Sequence, residues 1–334
     1  PTPSSAASDV YKRQGGAALE LLGRVESVAF DKTGTLTQGK PQVTDVVPFD
    51  VTEEQLLRLT ASIEIGSSHP LAISLVNKAQ EQGINIPEAA DKTVQVGSGV
   101  TGLVEGKLVQ VIAPSKADFP ISQQVEQQVL ALEGQGKTVV IARHDHQVIG
   151  LIAWQDTLRQ DAQQAVAALK KLGISSVMLT GDNPRSAEAI ANQIGLDYKA
   201  SLLPADKVHY VEEISAQHTV AMVGDGINDA PAMKASSIGI AMGGGTDVAL
   251  ETADAALTHN RLIELAGMIE LSRATLNNIR QNVALALGLK GVFLVTSLLG
   301  ITGLWVAVLA DSGATALVTL NALRLLRFES KQVK

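Results

Sequence analysis

Three apolar runs in this sequence each end on an aspartate that lies in a polar, glycine-containing loop. The aspartates are Asp31 in VAFDKTGTLT, Asp182 in SSVMLTGDN and Asp225 in TVAMVGDGIND. Short apolar runs of this kind are typical of buried parallel strands, and ligands of open α/β sheets bind at the carboxyl ends of such strands. The pattern therefore predicts one shared site at a sheet edge. For any single loop, an ordinary turn role of aspartate and glycine is the alternative.

A carboxylate at such an edge can attack a phosphorus atom and form an aspartyl phosphate, and we assign this role to Asp31. The anionic group being transferred needs cations and hydrogen-bond donors around it, for which Lys32, Lys207 and Thr180 are candidates. Asp225 is suited to Mg²⁺, a cation that prefers carboxylate and phosphate oxygens. The same loops carry further candidates for the catalytic machinery, namely Asp182, Asn228 and Asp229.

The composition excludes several classes of function. The 334 residues have a formal net charge of −7 and no cysteine. The charges are scattered and give no basic footprint, so we expect no nucleic-acid partner. Without cysteine the chain has neither disulfides nor a thiolate metal site, which fits a reducing cytosolic compartment. Residues 1–14 lack both apolar periodicity and a signal-peptide pattern, and we predict that they are a non-native or disordered leader.

The order of predicted elements indicates an α/β protein with an insertion. Residues 15–45 and 154–272 alternate short apolar strands with amphipathic helices, which favours a parallel sheet. Residues 46–153 contain two helical segments followed by alternating patterns typical of antiparallel strands. We therefore predict an α+β domain that is inserted into the first one.

The last part of the chain is mostly apolar. Segments 282–300 and 304–326 each approach the ~20 residues that cross a bilayer. Arginine and lysine residues precede and follow the pair, which predicts a hairpin over 273–328 with both ends and a tail, 329–334, on the cytoplasmic face. Lys290 and Asp311 interrupt the apolar segments at a cost of about 2.5–3.5 kcal/mol each, and such residues are functional candidates. Two buried core helices are the alternative.

The motifs DKTGTLT, TGDN and GDGINDAP occur in this order and resemble the phosphorylation domain of P-type ATPases, which has the haloacid-dehalogenase-like fold. The resemblance covers roughly residues 15–328. It implies that ATP phosphorylates Asp31, and that Asp31, the backbone carbonyl of Thr33 and Asp225 hold Mg²⁺. It also implies that Lys207 and Thr180 contact the phosphoryl group.

Thr33 stands where related phosphatases carry a second aspartate as general acid and base. Without a resident base the acyl phosphate should persist, as a pump requires. A membrane-tethered phosphatase of the same fold is nevertheless one alternative, and a non-catalytic nucleotide-binding regulatory module is another.

The resemblance makes segment 46–153 the nucleotide-binding domain. In SSHPL, His69 matches the histidine that lies against adenine in heavy-metal pumps, and a helix-capping role before Pro70 is the alternative. Glu64 occupies the place of the family's adenine-region acid. The glycines of GSGVTG match those of the same pumps, although this motif alone is a weak signal because its flanks are strands; they are Gly97, Gly99 and Gly102. The hinge back to the phosphorylation domain is matched by Asp156 and Arg159.

The membrane segments resemble those of the class that exports zinc, cadmium and lead. Lys290 and the DSG that begins at Asp311 carry this likeness, which implies that Asp311 is a ligand of the transported ion and Lys290 its counter-ion. A merely structural pair is the alternative. The implied partners are ATP, a divalent heavy-metal ion and the lipid bilayer of the cell membrane, with the catalytic domains in the cytoplasm. The family's Cys-Pro-Cys helix and actuator domain are missing, so we expect the C-terminal half of a pump.

Overall fold

The structure is a computed structural model that describes residues 15–95, 99–226, 228–301 and 303–328. The strands are β1 Ser27–Asp31, β2 Gln42–Pro48, β3 Ala90–Gln95, β4 Gly99–Val104, β5 Lys107–Ile112, β6 Thr138–His144, β7 Gln147–Gln155, β8 Ser175–Leu179, β9 Asp197–Lys199, β10 Val220–Gly224, β11 Ile238–Met242 and β12 Ala255–Leu257. The α-helices are α1 Gly15–Arg24, α2 Glu53–Glu64, α3 Pro70–Glu81, α4 Gln123–Glu133, α5 Ala162–Lys171, α6 Pro184–Ile194, α7 Pro204–Ser215, α8 Ala230–Ala235, α9 Asp247–Thr252, α10 Ile263–Leu298 and α11 Leu304–Leu323.

These strands form two six-stranded sheets. The first has the order β12-β11-β10-β1-β8-β9 and the second the order β2-β7-β6-β5-β4-β3. By its contacts the chain divides into two compact units. Of the described residues, those before 30, 164–176 and those after 209 form the first unit, and 30–163 with 177–209 form the second.

In the first unit the central strands are fully buried. All five residues of β10 and all five of β11 are buried, and the two strands pair in parallel with Ala221 opposite Ile238. Continuous burial is what apolar strands show when helices cover both faces of a parallel sheet. The predicted α/β fold is therefore confirmed.

The second unit holds the antiparallel sheet of strands β2 to β7. Consecutive residues of a strand point to opposite faces, so Leu151 and Ile152 enter two different cores. The core around Ile152 is closed by α2 and α3, and the core around Leu151 is closed by α4. This arrangement agrees with the α+β character predicted for segment 46–153, while the exact domain boundaries stay a prediction.

Two long helices end the first unit. The first turns of α10 are buried, and Arg273 donates hydrogen bonds to the carbonyls of Leu172 (2.8 Å) and Val25 (3.0 Å). Further along, large apolar side chains are exposed, such as Leu287 at 66%. In the described part of the chain, α10 is the helix that is long and apolar enough to cross a membrane. The apolar segment predicted to begin at residue 282 is thus the C-terminal part of a longer helix that begins at residue 263. The first turns of this helix are not part of the apolar segment, and they pack against the rest of the first unit.

Candidate active site

Asp31 is the last residue of β1, and only 5% of it is exposed. Its Oδ1 accepts a hydrogen bond from the ammonium group of Lys207, on the first turn of α7, and the two groups form an ion pair. The carboxylate of Asp206 accepts from the backbone N–H of Leu203 (2.9 Å) and so fixes the start of this helix. The structure therefore brings together the predicted nucleophile and the predicted lysine.

Lys32 follows Asp31 directly but pairs elsewhere. Its ammonium group forms an ion pair with Asp182 in the loop after β8. In the same loop the hydroxyl of Thr180, which is 3% exposed, accepts a hydrogen bond from the Asp182 N–H (3.1 Å). The sequence analysis proposed Lys32 as a cation near a phosphoryl group on Asp31. In the structure, Lys32 is paired with Asp182 instead.

The loop after Asp31 is held by side chains from the segment after β7. The Arg159 guanidinium donates to the carbonyls of Gly34 and Thr35, both at 2.7 Å. Asp156 accepts from the hydroxyl of Thr37 (2.5 Å) and from the N–H of Gly39 (3.1 Å). Both residues of the predicted hinge thus contact the segment that carries the nucleophile.

Thr35 is a residue that the sequence reasoning missed. It is completely buried, and its hydroxyl has no hydrogen-bond partner within the described ranges. A buried hydroxyl without a partner costs about 1–3 kcal/mol, so such a group calls for a ligand that completes it. Gly34 beside it has φ +75, a conformation that favours glycine. The signal available in the sequence was the position of Thr35 itself, a polar residue two positions before Thr37, whose hydroxyl bonds Asp156.

In the first unit, the loop after β10 carries the predicted Mg²⁺ ligand. Asp225 and Asp229 each have a carboxylate oxygen within 4.8 Å of the other's, and Asp229 is 3% exposed while Asn228 is exposed. A Cβ at Gly224 would lie 2.8 Å from the Cβ of Asp229, so only glycine leaves room for this approach. Two carboxylates at this distance can hold a hard cation such as Mg²⁺.

The predicted adenine-region residues lie at the C-terminal end of α2 and just before α3. Glu64 is half-buried, and burial raises the pKa of its carboxyl while Lys92 lowers it. His69 is the N-cap of α3, because its Nδ1 accepts a hydrogen bond from the Leu71 N–H (3.3 Å). Partial desolvation lowers the pKa of this imidazole. The capping role considered as an alternative is therefore present, and His69 remains exposed to solvent.

The glycines of GSGVTG have packing reasons of their own. A Cβ at Gly99 would lie 2.1 Å from the carbonyl oxygen of Val111, and one at Gly102 would lie 2.9 Å from Ile63. Both glycines thus allow close approach on the antiparallel sheet and beneath α2. Gly97 lies outside the described residues.

Three asparagines connect the two C-terminal helices, a contact that the sequence did not predict. Asn278 donates to the carbonyl of Asn321 (2.8 Å), and Asn321 donates to the side chain of Asn282 (2.8 Å). Asn282 in turn donates to the side chain of Asn278 (3.0 Å). Of the predicted ion site, Lys290 lies on α10 and Asp311 on α11, although the side chain of Asp311 falls outside the description.

Comparison of the sequence with models of known protein families identifies the class of protein to which this sheet and these loops belong. The chain belongs to the haloacid dehalogenase-like hydrolase family, whose match covers residues 25–237.

More particular relatives are heavy-metal P-type ATPases, as the motifs predicted. The chain is 58% identical over 315 residues to a zinc/cadmium/lead-transporting P-type ATPase of Escherichia coli K12, a match that covers 94% of this chain and 43% of that protein. It is 42% identical over 332 residues to a probable cadmium-transporting ATPase of Staphylococcus aureus, over 95% of this chain and 46% of the relative.

A solved structure of a zinc-transporting PIB-type ATPase in the E2·Pi state is also similar. It superimposes with a TM-score of 0.72 at 56% identity, over 97% of this chain and 53% of that one. The chain therefore spans about half the length of the relatives it matches.

Proposed function

We propose that this chain carries the ATP-driven phosphorylation cycle of a P-type ATPase that exports Zn²⁺, Cd²⁺ or Pb²⁺ across the cell membrane. The observation that carries the proposal is the buried ion pair of Asp31 and Lys207 at the carboxyl end of β1. A carboxylate held there next to a cation is what nucleophilic attack on an anionic phosphoryl group requires.

The chain's own groups account for the transfer step. An Asp31 carboxylate oxygen attacks the γ-phosphorus of ATP, the bond from phosphorus to the β–γ bridging oxygen breaks, and ADP leaves with that electron pair. Lys207 offsets the negative charge of the arriving phosphate. The Thr35 hydroxyl, which has no partner within the described residues, donates a hydrogen bond to a phosphate oxygen. Thr180, Asp182 and Asn228 would line the same site. Because Thr33 cannot act as a general base, the acyl phosphate should persist.

The residues present fit Mg²⁺. Asp225 and Asp229 supply paired carboxylates, and we propose that Asp31 and the Thr33 carbonyl complete the set. Carboxylate and carbonyl oxygens are the ligands that this hard cation prefers, which supports the set. When bound, the ion would neutralise charge on the phosphate oxygens.

ATP would bind to segment 46–153 through its adenine. We propose that His69 lies against the base, with Glu64 nearby and the backbone around Gly97, Gly99 and Gly102 close to the nucleotide. The lowered pKa of His69 supports this role, because a neutral imidazole stacks on an uncharged base without desolvating a charge.

The transported ion would bind between the two C-terminal helices in the membrane. The asparagine contacts align Asn321 of α11 with residues 278–282 of α10. Two antiparallel helices advance by the same rise per residue. Moving ten residues towards the turn therefore brings position 311 of α11 opposite residues 288–292 of α10, a range centred on Lys290. This register supports Asp311 as the ion ligand with Lys290 as its counter-ion. We also propose that the catalytic units lie in the cytoplasm, because basic residues flank the helical pair.

Labelling with γ-³²P-ATP and Mg²⁺ tests the proposal. A stable, hydroxylamine-sensitive label that is absent from the Asp31→Asn variant supports a P-type ATPase. Rapid release of phosphate from small phosphoesters, without a persistent label, would instead indicate the phosphatase. ATP binding without any label would indicate the regulatory module.

A further inference from the structure

Glu133, the last residue of α4, is a buried carboxylate that the phosphorylation chemistry does not use. Only 3% of it is exposed. Its Oε1 accepts a hydrogen bond from the side-chain amide of Asn183 (3.0 Å), and its Oε2 accepts one from Arg185 (3.2 Å). The contact therefore joins the segment predicted to bind nucleotide to the segment that follows β8.

Asn183 makes two bonds with its one side chain. Its Oδ1 caps α6 by accepting from the Ser186 N–H (3.0 Å), while its Nδ2 donates to Glu133. The backbone of Asn183 continues directly from Asp182, whose carboxylate pairs with Lys32 next to the nucleophile. A short series of contacts thus runs from α4 to the loop beside Asp31, entirely within the second compact unit.

A carboxylate is costly to bury unless its oxygens are bonded, and burial raises the pKa of Glu133 while Arg185 lowers it. The partner Arg185 is itself largely exposed, with 59% of its side chain accessible. Beside the pair, the turn that follows α4 lies against α6, since a Cβ at Gly136 would lie 3.3 Å from Ile190. Glu133 is therefore a buried carboxylate whose two oxygens are both bonded by side chains of the segment after β8.

We propose that Glu133 is a positioning residue that holds the Thr180–Asn183 loop for phosphoryl transfer by fixing the amide of Asn183. The proposal rests on the proposed function. Glu133 lies on α4, which packs on the opposite face of the antiparallel sheet from α2 and α3. Glu64 is the last residue of α2, and His69 caps the start of α3. Its removal should therefore slow phosphorylation without changing the affinity for ATP.

The experiment reverses the hydrogen bond between the two side chains. Asn183→Asp keeps a good N-cap but places two carboxylates together, and Glu133→Gln alone keeps one acceptor and adds a donor. In the double variant the new amide can donate to the new carboxylate, so the bond is restored with opposite polarity. Single-turnover phosphorylation by γ-³²P-ATP is measured with the full chain, together with the dissociation constant of ATP. Glu126→Gln, an exposed change on the same helix, is the matched control.

We expect Asn183→Asp to phosphorylate about tenfold more slowly, the double variant to recover to within about threefold of the parent chain, and ATP affinity to stay within about twofold throughout. A double variant no faster than Asn183→Asp would overturn the inference. So would parental rates in Asn183→Asp and Glu133→Ala, or a loss of ATP affinity that matches the loss of rate.

Backbone amide exchange over residues 180–186 gives a second readout that needs no activity. Glu133→Ala should speed this exchange and Glu126→Gln should not, and unchanged exchange in Glu133→Ala contradicts the inference. If the parent chain takes no label from ATP, the proposed function fails, while the exchange measurement still decides whether Glu133 holds the loop.

Discussion

The ammonium group of Lys207 lies against the carboxylate of Asp31, and both side chains are almost completely buried, with 12% and 7% exposed. Removing one partner of a buried ion pair leaves an uncompensated charge, at a typical cost of about 3–5 kcal/mol. This pair is therefore important for stability as well as for the transfer step.

Lys207→Met should lower the rate of phosphorylation by ATP at least about a hundredfold and reduce the free energy of unfolding by about 3 kcal/mol. Labelling kinetics and urea unfolding measure the two effects. In the background of Asp31→Asn the same change should cost much less stability, because no carboxylate is left unpaired. Equal losses of stability in both backgrounds would contradict the role of the pair.

Arg159 should prove to be a residue that shapes the phosphorylation loop. Arg159→Gln removes the donors to the Gly34 and Thr35 carbonyls and should slow phosphorylation about tenfold with little change in ATP affinity. Arg58→Gln in the same unit is the control, because Arg58 pairs with the exposed Glu105 and such pairs contribute about 0–1 kcal/mol. Similar phosphorylation rates in the two variants would show that the loop does not depend on Arg159.

The pKa of His69 predicts a pH dependence. The pKa is lowered on folding, so the folded chain favours the neutral ring, whose Nδ1 accepts from the Leu71 N–H. The stabilisation is present above the ordinary pKa of about 6.5 and is lost as the pH falls through 6.5 towards the folded value. Urea unfolding between pH 8 and pH 5 measures this loss.

His69→Asn is the matched variant, since asparagine caps a helix but does not titrate in this range. The difference in unfolding free energy between the parent chain and His69→Asn should therefore change with pH in the direction given above. A difference that is constant from pH 8 to pH 5 would show that His69 does not cap α3 as a neutral ring.

The asparagine contacts should hold the C-terminal hairpin together. Asn282→Leu removes the bond to Asn278 within α10 and the bond to Asn321 across the two helices. Interhelical bonds of this kind are worth about 0.6–1.7 kcal/mol in a membrane. Thermal unfolding in detergent micelles should show a corresponding loss. Leu287→Val, at an exposed apolar position of the same helix, should leave the transition almost unchanged. An equal effect of both changes would show that the asparagine contacts do not hold the hairpin together.

The pattern of the sequence was enough to predict both sheets and the residues at the ends of β1, β8 and β10, because apolar periodicity and glycine positions depend on local chain geometry. Burial of the first turns of α10 was not predictable in this way. Those turns bury apolar residues against the first unit, and the hydropathy of segment 282–300 contains no information on that contact.

The sequence predicted which residues lie at the strand ends better than it predicted which of their side chains pair with one another. Lys32 and Lys207 are both basic and both close to a motif, and only the tertiary structure assigns one to Asp182 and the other to Asp31. Glu133 stands in a polar helix end without any motif, so its burial depends on how α4 packs against α6. The orphaned hydroxyl of Thr35 likewise follows from burial, which a single sequence does not reveal.

Reductive trapping of the phosphorylated residue tests the central claim most directly. The full chain is incubated with ATP and Mg²⁺ and treated with borohydride, which reduces an aspartyl phosphate to homoserine, and the peptides are then sequenced by mass spectrometry. We predict ATP-dependent conversion at residue 31, with none at residues 182, 225 or 229. Conversion at one of those three positions, or at no aspartate in a chain shown to be folded, would contradict the account.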